Sequence, residues 1–320
     1  MTPEFDLIRR HFTRPTPHAV LGPGDDCALV RPSAGCELAV TSDMLVEGTH
    51  FLPATDPRRL GWKTLAVNLS DLAAMGATPR WVTLALSLPR VNDRWLAAFA
   101  DGFFDCARRF GVDLIGGDTT RGPLTLCVTA FGELAAGTAI RRSGARAGDD
   151  IWVSGQPGRA ALGLAGLLGR VAPETAGHAD FVAALEQPEP RVALGTALHG
   201  LANAMLDVSD GLLADLGHIA TASALSATVV DSALPWAALT AGCSDVAAVR
   251  DAMLAGGDDY ELLFCAPAQA HDALCALSNR LSLPLTRIGR MDAGTPGQVR
   301  LTDGQGRELP VARRGYDHFS

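Results

Sequence analysis

The stretch "GWKTLAVNLSDLAAMGATPRWVTLALSLP", residues 61–89, decides the fold class. In its first half Leu65, Leu69 and Leu72 recur at helical spacing. Gly76 stands where a helix C-cap belongs, and Pro79 follows it. The second half, from Trp81, is an apolar, β-branched run that reads as a buried strand. On either side the same alternation continues. "CALVRP" (27–32) and "ELAVTSD" (37–43) read as strands. Asn92 predicts the cap of a helix that keeps Trp95, Phe99, Phe103 and Phe110 to one side and stops at Gly111. "DLIGGDTTRGPLTLCVTAFGEL" (113–134) predicts a strand, a Gly-rich turn and a strand. The first half is therefore an α/β or α+β unit.

At "AAGTAIRRSGARAGDD" the texture turns small, polar and Arg-rich, without periodicity. A domain junction is expected within 136–148, dividing the chain into residues 1–137 and 148–320. The second part predicts strands at 150–155, 204–209, 226–231 and 260–267. Helices are expected at 158–169, 191–202, 210–223, 244–254 and 267–281. Strands near 285–290, 297–303 and 307–312 close it, the last two around a "DGQG" hairpin signal.

Composition narrows the function classes. Hydrophobic residues make up 48% and charged residues 19% of 320, as in a well-cored globular protein. A net charge of −8 argues against a general nucleic-acid or anionic-membrane binder, which needs a basic face. It leaves phosphate-bearing substrates open, because bound metal ions invert the local charge. Lys63 is the one lysine among 27 basic residues, and it follows Trp62, so there is no Walker A loop. Nor is there a protein-kinase motif set, a G-x-S-x-G elbow, an H-E-x-x-H pair or an EF-hand loop. "VSGQPGRAALG" lacks dinucleotide-binding spacing. Seven scattered cysteines without a C-x-x-C pair fit free thiols in a reducing cytoplasm. The start "MTPEFDLIRRHF" is not a signal peptide, and no apolar run is long enough to span a bilayer. A cytoplasmic protein is expected.

Carboxylates gather at predicted element boundaries. Asp25 and Asp26 lie behind Gly22 and Gly24, ahead of the first expected strand. Ser42-Asp43 is expected to end the second strand, and Gly116-Gly117-Asp118 another. Asp71 lies on the first helix, with Asn68 on the same face. Asp207 and Asp210 bracket "DVSDG", where a strand meets a helix, and "GGDDYE" (256–261) opens a strand. Each alone reads as a turn or a cap. Together, Asp residues at Gly-flanked strand ends suit Mg²⁺, which prefers oxygen ligands and is held by a few carboxylates plus substrate phosphates. Thr41 and Ser42 add hydroxyls, and Arg121, Arg141, Arg142 and Arg146 offer guanidinium forks to phosphate oxygens. The pattern points to a polyphosphate, several Mg²⁺ ions and no P-loop.

The blocks "GPGDDCALV", "TSDMLVEGTHF", "AVNLSDLAAMGATP", "LIGGDTTRGPL", "RSGARAGD", "LDVSDGLLADLGHI", "GGDDYELLF" and the terminal "GYDHF", in this order, resemble the thiamine-monophosphate kinase family. That family belongs to the superfamily of aminoimidazole ribonucleotide synthetase and selenophosphate synthetase. The resemblance implies an N-terminal α/β domain that forms a barrel with a second subunit in a homodimer, and a C-terminal α+β domain. It implies ATP-dependent phosphorylation of thiamine monophosphate to thiamine diphosphate by direct in-line transfer. Matched block by block, it implies Mg²⁺ ligands at Asp26, Thr41, Ser42, Asp43, Asp71, Asp118, Asp207 and Asp210. It places ATP contacts at Gly117, Asp118, Arg142 and Ser209, and substrate contacts at His50 and Asp258. Relatives usually carry Glu at the position of Asp258. An aromatic residue often precedes the terminal motif where Arg313 stands, so stacking on the thiamine ring there falls to the Arg313 guanidinium or to another residue. The acceptor is a phosphate oxygen already ionised at neutral pH, so no side chain is expected as an acid or base. Alternatives are an ATP-dependent synthetase of the same superfamily and a non-catalytic nucleotide or Mg²⁺ sensor. Selenophosphate synthetases carry a reactive Cys or Sec with a Lys in an N-terminal loop, and the segment before Asp25 has neither Cys nor Lys.

Overall fold

A computed structural model describes residues 3–172, 177–313 and 315–316. The chain divides into two compact units, Met1–Leu72 with Ala77–Ala139, and Ala73–Gly76 with Ile140–Ser320. Each has its own sheet.

The first unit contains α1 (Pro3–Phe12), β1 (Ala19–Leu21), β2 (Leu29–Val30), β3 (Cys36–Val46) and α2 (Pro57–Ala74), whose last residues count with the second unit. It continues with β4 (Thr78–Leu88), α3 (Asp93–Phe110), β5 (Asp113–Arg121) and β6 (Thr125–Ala135). The four long strands run in the order β3-β6-β4-β5; β4 and β5 are parallel and the other pairs antiparallel. Helix α3 follows its sequence signals. Asn92 Oδ1 accepts the Trp95 amide at 3.2 Å, and Gly111 ends the helix at φ 66°. Trp95 stacks on Phe99 at 5.2 Å. Alternation along the strands sends Val82, Leu84, Leu86, Leu126, Val128 and Ala130 into the core. The other face stays open at its β3 edge, where Val40 and Met44 are 58% and 54% exposed.

The second unit contains β7 (Asp150–Ser154), α4 (Arg159–Leu167), α5 (His178–Glu186), α6 (Val192–Ala197), β8 (Ala204–Asp207), α7 (Leu212–Ala222) and β9 (Ser226–Val230). Then follow α8 (Ala237–Gly242), α9 (Val246–Ala255), β10 (Leu262–Ala266), α10 (His271–Leu281), β11 (Leu285–Asp292) and β12 (Val299–Thr302). The six strands run β12-β9-β11-β7-β10-β8, parallel between β9 and β12 and antiparallel elsewhere. Both faces are covered. Ile151 and Val153 join one apolar cluster with Leu216 of α7 and Met253 of α9. Trp152, between them, joins another with Leu194 of α6 and Leu274 of α10. The expected α/β and α+β classes are what the two units show.

Several expectations need correction. Strand β3 does not end at Asp43 but runs on to Val46, because its pairing with β6 continues to Val46↔Thr125. Gly116-Gly117-Asp118 is no turn. β5 runs through it to Arg121, paired with β4, and the reversal comes at residues 122–124. Of the strand expected at 27–32 only Leu29–Val30 forms. The helix expected at 191–202 stops at Ala197, where bonds of the i→i+3 type tighten the chain and Gly200 turns it at φ 76°. At 307–312 a single bridge, Thr302↔Glu308, replaces the expected strand, and Pro310 supplies no backbone donor there. Helices α1, α5 and α8 and strand β1 were not anticipated. Asp317, His318 and Phe319 of the terminal motif lie outside the described residues.

Candidate functional site

In the first unit the acids are arranged by β3 and α2. Side chains alternate along a strand, so Thr41 and Asp43 share one face and Ser42 takes the other. Thr41 Oγ1 donates to Asp71 Oδ2, from α2. One turn earlier on α2, Asn68 Oδ1 accepts the Asp43 amide at 2.9 Å. Asn68 itself is fully buried and donates to the Thr64 carbonyl at 3.2 Å. The helix therefore fixes the strand at Thr41 and at Asp43. Burial, and then the charge of Asp71, push the Asp43 carboxyl up to about 6. Two acids held in each other's field at a half-buried position are what a divalent cation relieves. Ser42 Oγ bonds the Val128 carbonyl and Thr129 Oγ1, both at 3.1 Å, on the opposite face. The structure thus does not bring the Ser42 side chain to Asp43.

Asp26 and Asp118 line one cavity of about 730 Å³ within this unit. Its floor is apolar, with Leu84, Leu114 and Ile115 from the sheet and Phe5 and Phe12 from α1. Gly117 adopts φ 151°, and a Cβ there would overlap the Leu84 carbonyl, so only glycine lets β5 pass this close to β4. Asp25 Oδ1 accepts the Asp26 amide at 2.9 Å, a contact local to the loop, and Asp26 is exposed at the cavity. His50 accepts the Val46 amide on Nδ1 at 3.0 Å, which places the proton of the neutral ring on Nε2.

In the second unit two loops lie side by side. The first, Val208–Gly211, joins β8 to α7. Asp215 Oδ2, on α7, accepts the amides of Ser209, Asp210 and Gly211 at 3.0–3.1 Å. Burial, aided by the Asp210 charge, pushes the Asp215 carboxyl up to about 7 against the lowering effect of those three amides. Asp210, Asp215 and His218 place ligand atoms within 4.8 Å of one another. The second loop, Gly257–Tyr260, is hydrogen-bonded to the first. The Asp258 amide donates to the Ser209 carbonyl and the Tyr260 amide to the Val208 carbonyl, each at 2.9 Å. Asp258 and Tyr260 both have left-handed backbone, at φ 66° and 52°. Asp259 lies half-buried beneath the start of α4, accepting the amides of Gly158 at 2.5 Å and Ala160 at 3.2 Å. Desolvation raises its carboxyl well above the usual range. Glu261 receives a two-pronged Arg191, at 2.7 and 2.6 Å, and Ser154 Oγ at 2.6 Å.

Residues 24–134 match the family described as AIR synthase related protein, N-terminal domain, and residues 146–302 match its C-terminal domain. The chain is 45% identical over 322 residues to a thiamine-monophosphate kinase of Escherichia coli (strain K12), covering 99% of this chain and 98% of the relative. The chain belongs to the thiamine-monophosphate kinase family.

Solved structures of relatives match over nearly the whole chain. The thiamine-monophosphate kinase from Stenotrophomonas maltophilia K279a has 47% identity and a TM-score of 0.83, covering 95% of this chain and 96% of that one. A structure of AaThiL complexed with AMPPCP and TMP has 29% identity and a TM-score of 0.77, covering 98% and 96%. Within each unit, the family-implied positions fall into groups. Thr41, Asp43 and Asp71 converge, Asp26, Gly117 and Asp118 share the cavity, and Ser209, Asp210 and Asp258 sit on paired loops. Asp207 is buried at the end of β8. Arg142 is exposed, and its carbonyl accepts Ser223 Oγ at 3.2 Å. Arg313 is held by Asp251 of α9, at 2.8 and 3.3 Å. Sequence reasoning missed Asn68 as the strand anchor, Asp215 as the loop anchor, and the inward-bonded Asp259. The signals were present in the N-x-x-D spacing of α2, in "SDGLLAD", and in two adjacent acids of which only one can face outward.

Proposed function

We propose that the protein transfers the γ-phosphoryl group of ATP to thiamine monophosphate, giving thiamine diphosphate and ADP. The observation that carries this reading is the full-length likeness to a relative complexed with AMPPCP and TMP, and it is supported by the acids Asp43 of β3 and Asp71 of α2, which lie in each other's field. A phosphate oxygen of thiamine monophosphate forms the new bond to the γ-phosphorus. The bond from that phosphorus to the β–γ bridging oxygen breaks, and its electron pair leaves on ADP. The attacking oxygen is already ionised, so no side chain has to remove a proton, and none is assigned as acid or base.

The role of the chain is to hold and orient. Asp26, Asp43, Asp71, Asp118, Asp207 and Asp210, with Thr41, are the residues that would hold Mg²⁺. The raised carboxyl of Asp43 beside Asp71 supports that fit. Mg²⁺ so bound would neutralise the mutual repulsion of the two phosphate-bearing substrates and the charge of the transferred group. Ser42 enters this set only through its backbone. In the first unit Gly117 and Asp118 are the ATP contacts, beside the cavity whose apolar floor suits the base; in the second unit Ser209 and Arg142 are the residues assigned to ATP. His50 and Asp258 face the thiamine portion; Arg313 would first have to leave Asp251. The first unit carries most of the cation groups and dimerises through the open face of its sheet, where Leu38, Val40 and Met44 are exposed. The seven cysteines, none of them in a disulfide, suit the cytoplasm. Among the described residues no helix is long and apolar enough to cross a membrane.

The test is formation of thiamine diphosphate from ATP and thiamine monophosphate, with free thiamine as the control acceptor. Activity on the monophosphate alone is expected. Comparable turnover of free thiamine would refute direct transfer without a base.

A further inference from the structure

Helix α2 is buried along most of its length, and its core positions Leu65, Leu69 and Leu72 are at most 1% exposed. Asn68 lies among them with no exposure at all. Asparagine is a poor helix former, and an amide taken out of water costs free energy unless it is bonded. Both ends of this one are bonded. Nδ2 donates to the Thr64 carbonyl one turn earlier on the helix, at 3.2 Å, and Oδ1 accepts the Asp43 amide of β3 at 2.9 Å. The orientation of the side-chain amide follows from its partners, since a backbone N–H needs the oxygen and a carbonyl needs the nitrogen. Strand β3 is the end strand of its sheet, so it has amides with no neighbouring strand to receive them. Asn68 receives one of its amides at the very residue whose carboxyl is pushed up to about 6 by burial and by Asp71. Three residues further along α2, Asp71 takes the Thr41 hydroxyl.

We infer that Asn68 is a positioning residue that holds the backbone at Asp43, and with it the spacing of the Asp43 and Asp71 carboxylates, ahead of Mg²⁺ binding. This rests on the reading of those two acids as Mg²⁺ ligands. Without the cation the two carboxylates repel each other, and a strand with one free edge can give way to that repulsion. Strand β3 is tied to α2 at positions 41 and 43, and the tie at 43 comes from a fully buried side chain, where water does not compete for the bond. A neutral amide makes this tie without adding a third negative charge beside the pair. Mg²⁺ then meets ligands already in place, so the ordering cost falls on folding and not on cation binding. Asn68 has its oxygen and its nitrogen engaged by the chain, and it acts on the cation only through Asp43.

The experiment is a Mg²⁺ titration of the full-length protein without substrates, read by the rise in thermal midpoint. Two variants remove the acceptor, Asn68→Leu by keeping the volume and Asn68→Ser by shortening the reach. Asn68→Asp keeps an oxygen for the Asp43 amide. Asp43→Asn, alone and combined with Asn68→Leu or Asn68→Ser, completes the set. Asn68→Leu and Asn68→Ser are expected to raise the Mg²⁺ concentration at half-effect about three- to tenfold, the net worth of one hydrogen bond. The same displacement should appear in the Mg²⁺ needed for half-maximal rate. Asn68→Asp should stay within about twofold of wild type or fall below it, because the bond is retained. Added to Asp43→Asn, the loss of Asn68 should displace the titration no further. A metal-free midpoint that falls while the half-effect concentration stays at the wild-type value would make Asn68 a residue of the fold alone and overturn the inference. So would equal weakening by Asn68→Asp, or effects that multiply in the double variants. If Asp43→Asn leaves the titration unchanged, the cation reading fails and the positioning role falls with it.

Discussion

Asp43→Asn removes the half-buried acid of β3 while keeping its shape. In the folded protein burial and Asp71 raise the Asp43 carboxyl from 3.8 to about 6. The folded state therefore holds that proton more tightly than the unfolded chain does. The resulting stability is fully present below the unfolded value and is lost as pH rises through about 6. A difference of roughly two pH units corresponds to about 3 kcal/mol at most. Without metal, the stability of the wild type should thus fall relative to Asp43→Asn by up to about 3 kcal/mol between about pH 4 and pH 7.5. Working with the difference between the two proteins cancels the other titrating groups, Asp215 and Asp259 among them. The assay is urea unfolding in chelator across that range, repeated at neutral pH with saturating Mg²⁺. The cation should restore stability to the wild type and much less to the variant, because it binds the folded state through this carboxylate. Parallel stability profiles for the two proteins would show that Asp43 carries no such burden and would refute the cation-site argument built on it.

Other perturbations test other parts of the structure. Gly117→Ala forces a Cβ against the Leu84 carbonyl at a left-handed φ; a stability loss of at least about 2 kcal/mol is expected in thermal unfolding, and a midpoint equal to wild type would contradict the close approach of β5 and β4. Arg191→Met leaves Glu261 buried without its cation and should cost about 3–5 kcal/mol, much of it recovered when Glu261→Met is added; additive losses in the double variant would count against a coupled pair. Asp26→Asn should raise the Mg²⁺ concentration needed for half-maximal rate, with a smaller effect from Asp25→Asn, whose side chain bonds the loop backbone; a Mg²⁺ titration of Asp26→Asn that overlays wild type would return the motif to a simple turn.

The sequence by itself determined which segments would be helix and strand wherever periodicity and punctuation agreed. Asn92 and Gly111 bound α3 as read, because a cap is a local hydrogen bond and a left-handed C-terminus is a local backbone choice. The ordered motif blocks were enough to give the family. Local signals failed where pairing overrode them. "GGD" looked like a turn, yet a neighbouring strand holds it extended, since glycine is required there by the Leu84 carbonyl and not by a reversal. The tertiary structure alone decided which acids share a site. Adjacent residues on a strand face opposite ways, so pairing with β6 separates Ser42 from Asp43, while α2 carries Asp71 to Thr41 thirty residues away. It alone decided that Asp259 anchors the start of α4 while Asp258 bonds the Tyr260 phenol. The two differ only in which has backbone amides of α4 within reach, and that depends on where the chain folds a helix start, about one hundred residues earlier.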